Sequence, residues 1–593
     1  MDKESAAAIL DEIALLLELK GENPFKARAY TRAARALDSF PGDLTSLARA
    51  GRLKELPGIG TAILAKLTEL LETGHLAYHD RLRAEFPPGI FELLRIQGLG
   101  PRKLAALRGE LGIDSPEALE RACIEGRVAG LKGFGPATQA KLLAGIGRLR
   151  QYQGLFRLGD VQAAAESIRS TLREWPEISQ LEPAGDLRRG CEVIRETVLV
   201  ASTRSAHDVL DRFCSLPTTR VLSREPTSAL IAPHGGPPCR LHVTTDKEFP
   251  FQLLWLTGGP GHLRDLAAHA ADHGFELRHD GLRPSPPQPV PCEAEIYAQL
   301  GLPTIAPELR EGLGEIQAAK TGALPRLLEW TDLRGTFHNH TIASDGRDSL
   351  LQMADAARDL GMEYLGIADH SRSSAQAGGL DERRLLAQVD EILEFNKESS
   401  GLRLLAGCEV DILKDGSLDF PDEILARLDY AVASIHAHFG LDEAHMTRRI
   451  IRAAENPHVT MLGHLTGRLL LDRPPYALDA EKVIDACAAT GTWIELNCNP
   501  RRLDMDWRLW KHARDKGVIA VLNPDAHSHR QFAYLRLGAT IARKGWLRKS
   551  DVANTRPLPE LLDMLSAKRR NHSSPDISQP VGCENPGSGK TAP

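Results

Sequence analysis

"GTFHNHTIASDG", residues 335–346, places His338 and His340 on either side of one asparagine, with Asp345 in a Ser-Asp-Gly turn just beyond. In a strand, residues i and i+2 point to the same side. Both imidazoles therefore face one spot, and a strand end built this way offers two nitrogen ligands to one metal cluster. An isolated pair of this kind would suit a polar surface equally well, so its neighbours matter.

The neighbours repeat the pattern. From about residue 331, short apolar runs alternate with amphipathic helical stretches, a βα rhythm that predicts a parallel, barrel-like α/β domain. Nearly every run ends in residues that can bind metal: "LGIADHS" in Asp369 and His370, "LLAGCEVD" in Glu409, "AVASIHAHF" in His436 and His438, "TMLGHLTGR" in His464, "VLNPDAHSH" in Asp525, His527 and His529. In parallel α/β barrels the C-terminal strand ends share one rim, so ligands from separate strands converge there. Mixed imidazole and carboxylate donors suit zinc, manganese or iron, and two or three such ions can activate water against a phosphoester.

The chain has 593 residues, room for roughly three to five domains. Its net charge is −6, so any contact with nucleic acid must use local basic patches. The nine cysteines are scattered without a CxxC pair, which argues against zinc ribbons and fits a reducing, cytoplasmic setting. The N-terminus is acidic and amphipathic, without the basic start of a signal peptide, and no apolar run reaches membrane-spanning length.

The first 150 or so residues carry helical periodicity only. Within them one element recurs: "LKELPGIGTAILAKLTELL" (53–71), "LLRIQGLGPRKLAAL" (93–107) and "VAGLKGFGPATQAKLL" (128–143). Each sets Gly-x-Gly between helices, at Gly58 and Gly60, Gly98 and Gly100, Gly133 and Gly135, with Lys66, Arg102, Lys103, Lys132 or Lys141 close by. Glycines permit the tight turn, and the following helix start can present backbone N–H groups to a phosphate. Such contacts read DNA backbone rather than bases. The tail from 569 is rich in Pro, Gly and Ser and reads as disordered; its "GSGKT" has Glu584 where a phosphate loop needs glycine.

Taken together these motifs resemble known families. The strand-end residues are similar, in order, to the PHP (polymerase and histidinol phosphatase) family. That resemblance implies a distorted (β/α)₇ barrel with a trinuclear metal site for phosphoester hydrolysis. The ligands it implies are His338, His340, Asp345, His370, Glu409, His436, His464, Asp525 and His527, with His338, His340, His370, Glu409 and Asp525 at the heart of the chemistry. His438 and His529 fall outside that set. Arg468 follows a ligand closely and is read as a phosphate contact. The Gly-x-Gly elements resemble helix-hairpin-helix motifs.

"AGDLRRGCEVIRETVLVAS" (184–202) resembles the palm of family X DNA polymerases, with Gly185, Arg188, Arg189, Gly190 and Glu192 matching its Gly-Ser-x-Arg-Arg-Gly-x-Glu turn. "FPFQLLWLTGGPGH" (249–262) and "EAEIYAQLGLPTIAPELREGLGEI" (293–316) resemble that family's later palm element and thumb. Gly185, Arg188 and Arg189 are thereby read as nucleotide-phosphate contacts, and Lys66 matches the family's Schiff-base lysine. The whole chain is similar to bacterial family X polymerases with a C-terminal PHP domain: helical 8-kDa-like region 1–85, fingers-like 86–154, palm-like 155–262, thumb-like 263–318, linker 319–330 and PHP 331–568.

The departures fall where nucleotidyl transfer needs carboxylates around two Mg²⁺ ions. Glu196 can stand for the first of the family's aspartates, but Val198 and Arg240 occupy the positions of the other two. Palm Mg²⁺ is therefore doubtful, polymerase activity is expected to be weak or lost, and Arg240 is free to pair with Glu196. The expected function is a cytoplasmic, DNA-binding phosphoesterase, a 3′→5′ exonuclease or end-trimming enzyme of repair acting on gapped or primer-template DNA. It would hold two or three Mn, Zn or Fe ions. The alternatives are an active repair polymerase with a divergent palm, a small-molecule phosphatase and a non-catalytic DNA-binding module.

Overall fold

The computed structural model describes residues 3–38, 40, 44–56, 58–96, 98–233, 236–286 and 289–573. From Lys3–Leu19 through Pro136–Gln151 the described residues form helices and no strand. The first helix shows why. Ala6, Leu10, Ile13 and Leu17 recur at helical spacing and are fully buried, in a core that extends to Ile146.

The three Gly-x-Gly elements share one backbone path. Gly58, Gly98 and Gly133 have φ of +81°, +84° and +85°, a region that favours glycine. Gly60, Gly100 and Gly135 are extended N-caps of helices α1 (Thr61–Thr73), α2 (Pro101–Leu111) and α3 (Pro136–Gln151). Between the glycines, Ile59, Leu99 and Phe134 each donate a backbone hydrogen bond to the residue three earlier.

Next comes a five-stranded sheet: β1 (Ile178–Ala184), β2 (Thr197–Thr203), β3 (Thr219–Arg224), β4 (Ser228–Pro233) and β5 (Cys239–Thr244), in spatial order β1-β2-β5-β4-β3. Only β2 and β5 pair in parallel. Leu199, Ala201, Leu241 and Val243 pack on Val209, Leu210 and Phe213 on one face. On the other, Ala184 and Val200 pack on Phe249 and Leu253 of α4 (Phe249–Thr257).

The C-terminal region is a ring of parallel strands. β6 (Gly335–Thr336), β7 (Tyr364–Ile367) and β8 (Arg403–Ala406) form one sheet; β9 (Glu409–Asp411), β10 (Val432–Ser434), β11 (Met461–Leu462), β12 (Trp493–Asn497) and β13 (Ala520–Asn523) form another. Single bridges, His370 with Glu409 and Asn339 with Ala526, join the two sheets at both seams. β8 and β9 are one run, broken at Gly407-Cys408, that changes partner from β7 to β10. Counted as one strand, it leaves seven, so the distortion of the (β/α)₇ barrel is this break. The strands are buried on both faces, as a helix-covered parallel barrel requires.

The palm-like sheet and the barrel are not separate bodies. Leu158, Val161 and Ile194 belong to the barrel's own hydrophobic core. At Gly159 an added Cβ would collide with Pro500, and at Gly190 with Thr540 on helix α5 (Tyr534–Lys544). At both positions glycine lets a barrel side chain sit directly against the palm-like region's backbone. The last helix runs Leu558–Ser573, so residues 569–573 of the predicted tail continue a helix; 574–593 lie outside the described residues. No helix among the described residues is long and apolar enough to cross a membrane.

Candidate metal centre and nucleic-acid interface

The nine expected ligands converge on the barrel's C-terminal rim. Three sets of donor atoms lie within 4.8 Å of one another: His340, Asp345, His370 and His527; His338, His340 and Asp525; and His370, Glu409 and His436. His464 joins them through Nε2, 2.9 Å from Glu409 Oε1. Glu409 is the hub: its carboxylate also faces His338 Nε2 at 3.3 Å, His436 Nε2 at 3.3 Å and His370 Nδ1 at 2.7 Å. Asp525 Oδ1 faces His340 Nε2 at 3.3 Å and His338 Nε2 at 3.8 Å. His438 is exposed, and His529 pairs with Asp348 at 2.7 Å.

The donors fit cations on two counts. Both ring nitrogens of His340, Nε2 of His338 and Oε2 of Glu409 are buried without a hydrogen-bond partner. Such groups are costly in a protein interior unless something engages them. The charge balance agrees. Burial disfavours charge on His370, yet Glu409 and Asp345 outweigh it and push its pKa up to about 11. His436 is buried as well, and Glu409 with Asp411 pushes it up to about 9. Burial and the neighbouring His527 and His370 rings push His340 down to about 4. Burial works to raise the Asp345 carboxyl, but hydrogen bonds from His370 and His527 hold it far below the usual range. A pocket that draws protons onto imidazoles to balance buried carboxylates is one that divalent cations fill, releasing those protons.

Residues around the donors hold them in place. Glu495 accepts from His338 Nδ1 at 2.7 Å and from the His464 backbone N–H at 2.7 Å. Asp411 Oδ1 lies 2.5 Å from His436 Nδ1. Asp369 accepts from Thr341 and from Gln388, fixing the loop after His340. Asn497 donates to Asp525 Oδ2 at 3.1 Å. His464 and Asp525 sit at φ of 26° and 52°, uncommon for non-glycine residues and typical of a site whose geometry is imposed by its surroundings. Sequence reasoning missed Glu495 and Asp411. Asp411 was within reach of the same i, i+2 reading, two residues after Glu409; Glu495 lies inside an apolar strand with no such flag. Glu495→Gln should weaken metal binding by about ten- to a hundredfold, since a residue orienting a ligand carries effects of that size. Metal content after dialysis against a graded chelator checks this.

Arg468 is corrected from its expected role. Its side chain is buried; Nε donates to the Arg502 carbonyl at 3.0 Å, Nη1 pairs with Asp506 at 2.9 Å, and Nη2 donates to the Leu503 carbonyl. With all three nitrogens engaged inside the protein, the buried guanidinium is not presented to a phosphate. Arg189 is corrected likewise, while Arg188 keeps part of its side chain exposed. Arg188 pairs with Glu293 at 2.5 Å and donates to Thr257 at 3.0 Å. Arg189 engages Glu311 at 2.9 Å, the Thr257 carbonyl at 2.7 Å and Asp186. Lys544 of α5, itself buried, reaches the Arg189 carbonyl at 3.1 Å and Glu311. Gly185 adopts φ +62° against Val198.

On the palm-like sheet Val198 and Arg240 are direct cross-strand partners on β2 and β5. Glu196 precedes them and meets Arg240 in a two-pronged pair, Nε to Oε1 at 2.9 Å and Nη2 to Oε2 at 3.1 Å. The three positions thus converge, with one cation, one carboxylate and one valine among them.

Among the described residues, the helix starts after Gly60, Gly100 and Gly135 have no side-chain cap, and an added Cβ at any of these three glycines would meet nothing within 4 Å. The N–H groups of the first turn, which begin at the second residue where Pro101 and Pro136 open the helix, can therefore face a phosphate. Arg102 is exposed; Lys103 folds back on the Gly98 carbonyl at 3.2 Å; Lys66 lies 4.8 Å over the Tyr78 ring. Replacing Gly58, Gly60, Gly98 and Gly100 with valine forces side chains into positive φ and into the phosphate's path. Affinity for gapped DNA should fall about tenfold or more, and the salt dependence should flatten by about one unit of slope per lost phosphate contact. Unchanged affinity and slope would leave these turns a purely structural role.

Models of four families match the chain: a helix-hairpin-helix domain over residues 1–76, a tandem helix-hairpin-helix over 90–148, a DNA polymerase beta thumb over 252–311 and a PHP domain over 336–499. A Bacillus subtilis protein called "DNA polymerase/3′-5′ exonuclease PolX" is 34% identical over 567 residues, covering 95% of this chain and 99% of that protein. A "Probable phosphatase" of Acetivibrio thermocellus is 36% identical over 200 residues, 32% of this chain and 78% of that protein.

Proposed function

The chain belongs to the bacterial family X DNA polymerases that carry a PHP domain, and we propose that it is a metal-dependent DNA phosphoesterase whose palm no longer synthesises DNA. Its reaction is 3′→5′ removal or trimming of DNA ends, at gaps and primer termini arising in repair, inside the cytoplasm. The observation that carries this reading is the rim cluster centred on Glu409, with buried ring nitrogens that no described residue hydrogen-bonds. The relative's name gives both activities; the Glu196–Arg240 pair favours the hydrolytic one here.

Divalent manganese, zinc or iron at this rim supplies Lewis-acid activation of water and charge neutralisation at phosphorus. The ligands are His338, His340, Asp345, His370, Glu409, His436, His464, Asp525 and His527. The chain's own contribution is positional. Glu495 and Asp411 fix the ring orientation and tautomer of His338 and His436, so that Nε2 of each faces Glu409. The buried floor keeps bulk water from the donors, which strengthens every electrostatic contact above it. The hairpins after Gly60, Gly100 and Gly135 would hold the duplex by its backbone, without sequence preference.

The rim cluster would serve a small-molecule phosphatase equally well, and the Acetivibrio relative, named a probable phosphatase, is similar to 32% of the chain. The hairpins favour DNA. Metal-stripped protein should leave a 5′-labelled strand intact and, on addition of Mn²⁺, generate a ladder of shortened products. The same strand labelled at its 3′ end should release labelled mononucleotide first. Activity indifferent to chelation, or hydrolysis of sugar phosphates but not DNA, would overturn the proposal.

A further inference from the structure

Beside the rim stands a cation that the metal ligands do not explain. Arg502 Nε lies 3.4 Å from Asp525 Oδ2, while Oδ1 of the same carboxylate faces the ring nitrogens of His338 and His340. The Arg502 side chain is 18% exposed, and its two terminal nitrogens hydrogen-bond no described residue. A fixed positive charge next to a cation site weakens cation binding by repulsion. If Asp525 needed only a hydrogen-bond donor, a neutral residue such as Asn497 would serve it better, and Asn497 already does. The conflict disappears when an anion bridges the two. A phosphodiester brings non-bridging oxygens whose charge grows during attack, and a guanidinium fork matches two oxygens at once.

Arg502 is held firmly. Its N–H donates to the Asn499 carbonyl at 2.8 Å, and its carbonyl accepts from Arg468 Nε at 3.0 Å. Leu503, next to it, is forced to φ 44° and tied by the same Arg468. Arg468 in turn reaches Glu192 of the palm turn, Nη1 to Oε1 at 3.4 Å. Gly159 lets the palm-like region press against Pro500 of the same loop.

We infer that Arg502 grips the scissile phosphate at the metal centre, and that the palm turn positions it through Glu192 and Arg468. This rests on the hydrolytic reading of the rim. Arg502 is then a catalytic residue, while Arg468 and Glu192 are positioning residues. It also gives the palm turn a use in a chain that keeps one acid, Glu196, at the three palm positions: Glu192 braces the nuclease instead.

The test compares full-length Arg502→Ala, Arg502→Lys, Arg468→Lys and Glu192→Gln with the unsubstituted protein. Manganese content, affinity for inorganic phosphate by calorimetry, and kcat and KM on bis(p-nitrophenyl) phosphate are measured. Arg502→Ala should keep its full manganese content, bind phosphate about ten- to a hundredfold more weakly, and lose about 10²–10³-fold in kcat. Added guanidinium at millimolar levels should restore part of that loss, and Arg502→Lys should retain more than Arg502→Ala. Glu192→Gln and Arg468→Lys should lose about tenfold in kcat with KM and metal content nearly unchanged, and guanidinium should not rescue them. Wild-type phosphate affinity in Arg502→Ala overturns the assignment of Arg502. Impaired Arg502→Ala beside unaffected Glu192→Gln and Arg468→Lys overturns the palm relay. If the unsubstituted protein hydrolyses nothing with Mn²⁺, the hydrolytic reading fails, and the phosphate-binding arm still decides on Arg502.

Discussion

The His338→Ala, His340→Ala double variant is expected to lose bound metal and DNA hydrolysis together. Both rings are fully buried, and neither can be replaced by a surface neighbour. His340 contributes to two of the three donor sets and His338 to one of those two, so the pair of changes empties the middle of the cluster. Metal-assisted charge stabilisation amounts to several kcal/mol in the transition state, so hydrolysis should fall by about 10³-fold or more. Elemental analysis should show the loss in parallel with the loss of DNA degradation. The variant should stay folded, because the barrel's apolar core is built from other residues, such as Ile367, Ala433 and Leu522. A double variant that degrades DNA at the original rate would mean that hydrolysis occurs elsewhere.

The same variant serves as background for the second large effect: no dNTP-dependent primer extension, with either Mg²⁺ or Mn²⁺. With degradation removed, even slow synthesis would be visible. Two-metal nucleotidyl transfer requires carboxylates that neutralise the triphosphate and align the 3′-hydroxyl. Here Glu196 is the single acid at the three converging positions, and it is bound by Arg240 through both oxygens. Arg189, expected to face nucleotide phosphate, is closed in by Glu311, Asp186 and the Thr257 carbonyl. Synthesis should therefore be absent rather than slow. Robust extension by the double variant, abolished by Glu196→Ala, would show that the palm works with carboxylates drawn from other positions.

Much of this could be read from residue types and spacing. The period-2 rule aims His338 and His340 at one spot, and the βα rhythm brings the later strand ends to the same rim, where Glu409 meets five imidazoles. Identical Gly-x-Gly spacing gives three turns with nearly the same φ. What the spacing could not convey was tertiary. A surface-like arginine after a ligand, Arg468, is a buried strut because the loop 499–506 folds over it. The cation beside the rim, Arg502, sits in a loop with no periodic signal. Glu495 hides in the apolar strand β12, where burial on both faces leaves no alternation to betray a carboxylate. The break at Gly407-Cys408 turns one predicted strand into two paired segments.

The most direct test is a single gel. Purified full-length protein is incubated with Mn²⁺ and a gapped duplex carrying a 5′-labelled primer, with and without all four dNTPs. The account predicts progressive shortening of the primer, the same in both lanes, and none after chelation. Products longer than the primer in the dNTP lane, or a primer left intact in the presence of Mn²⁺, would contradict it.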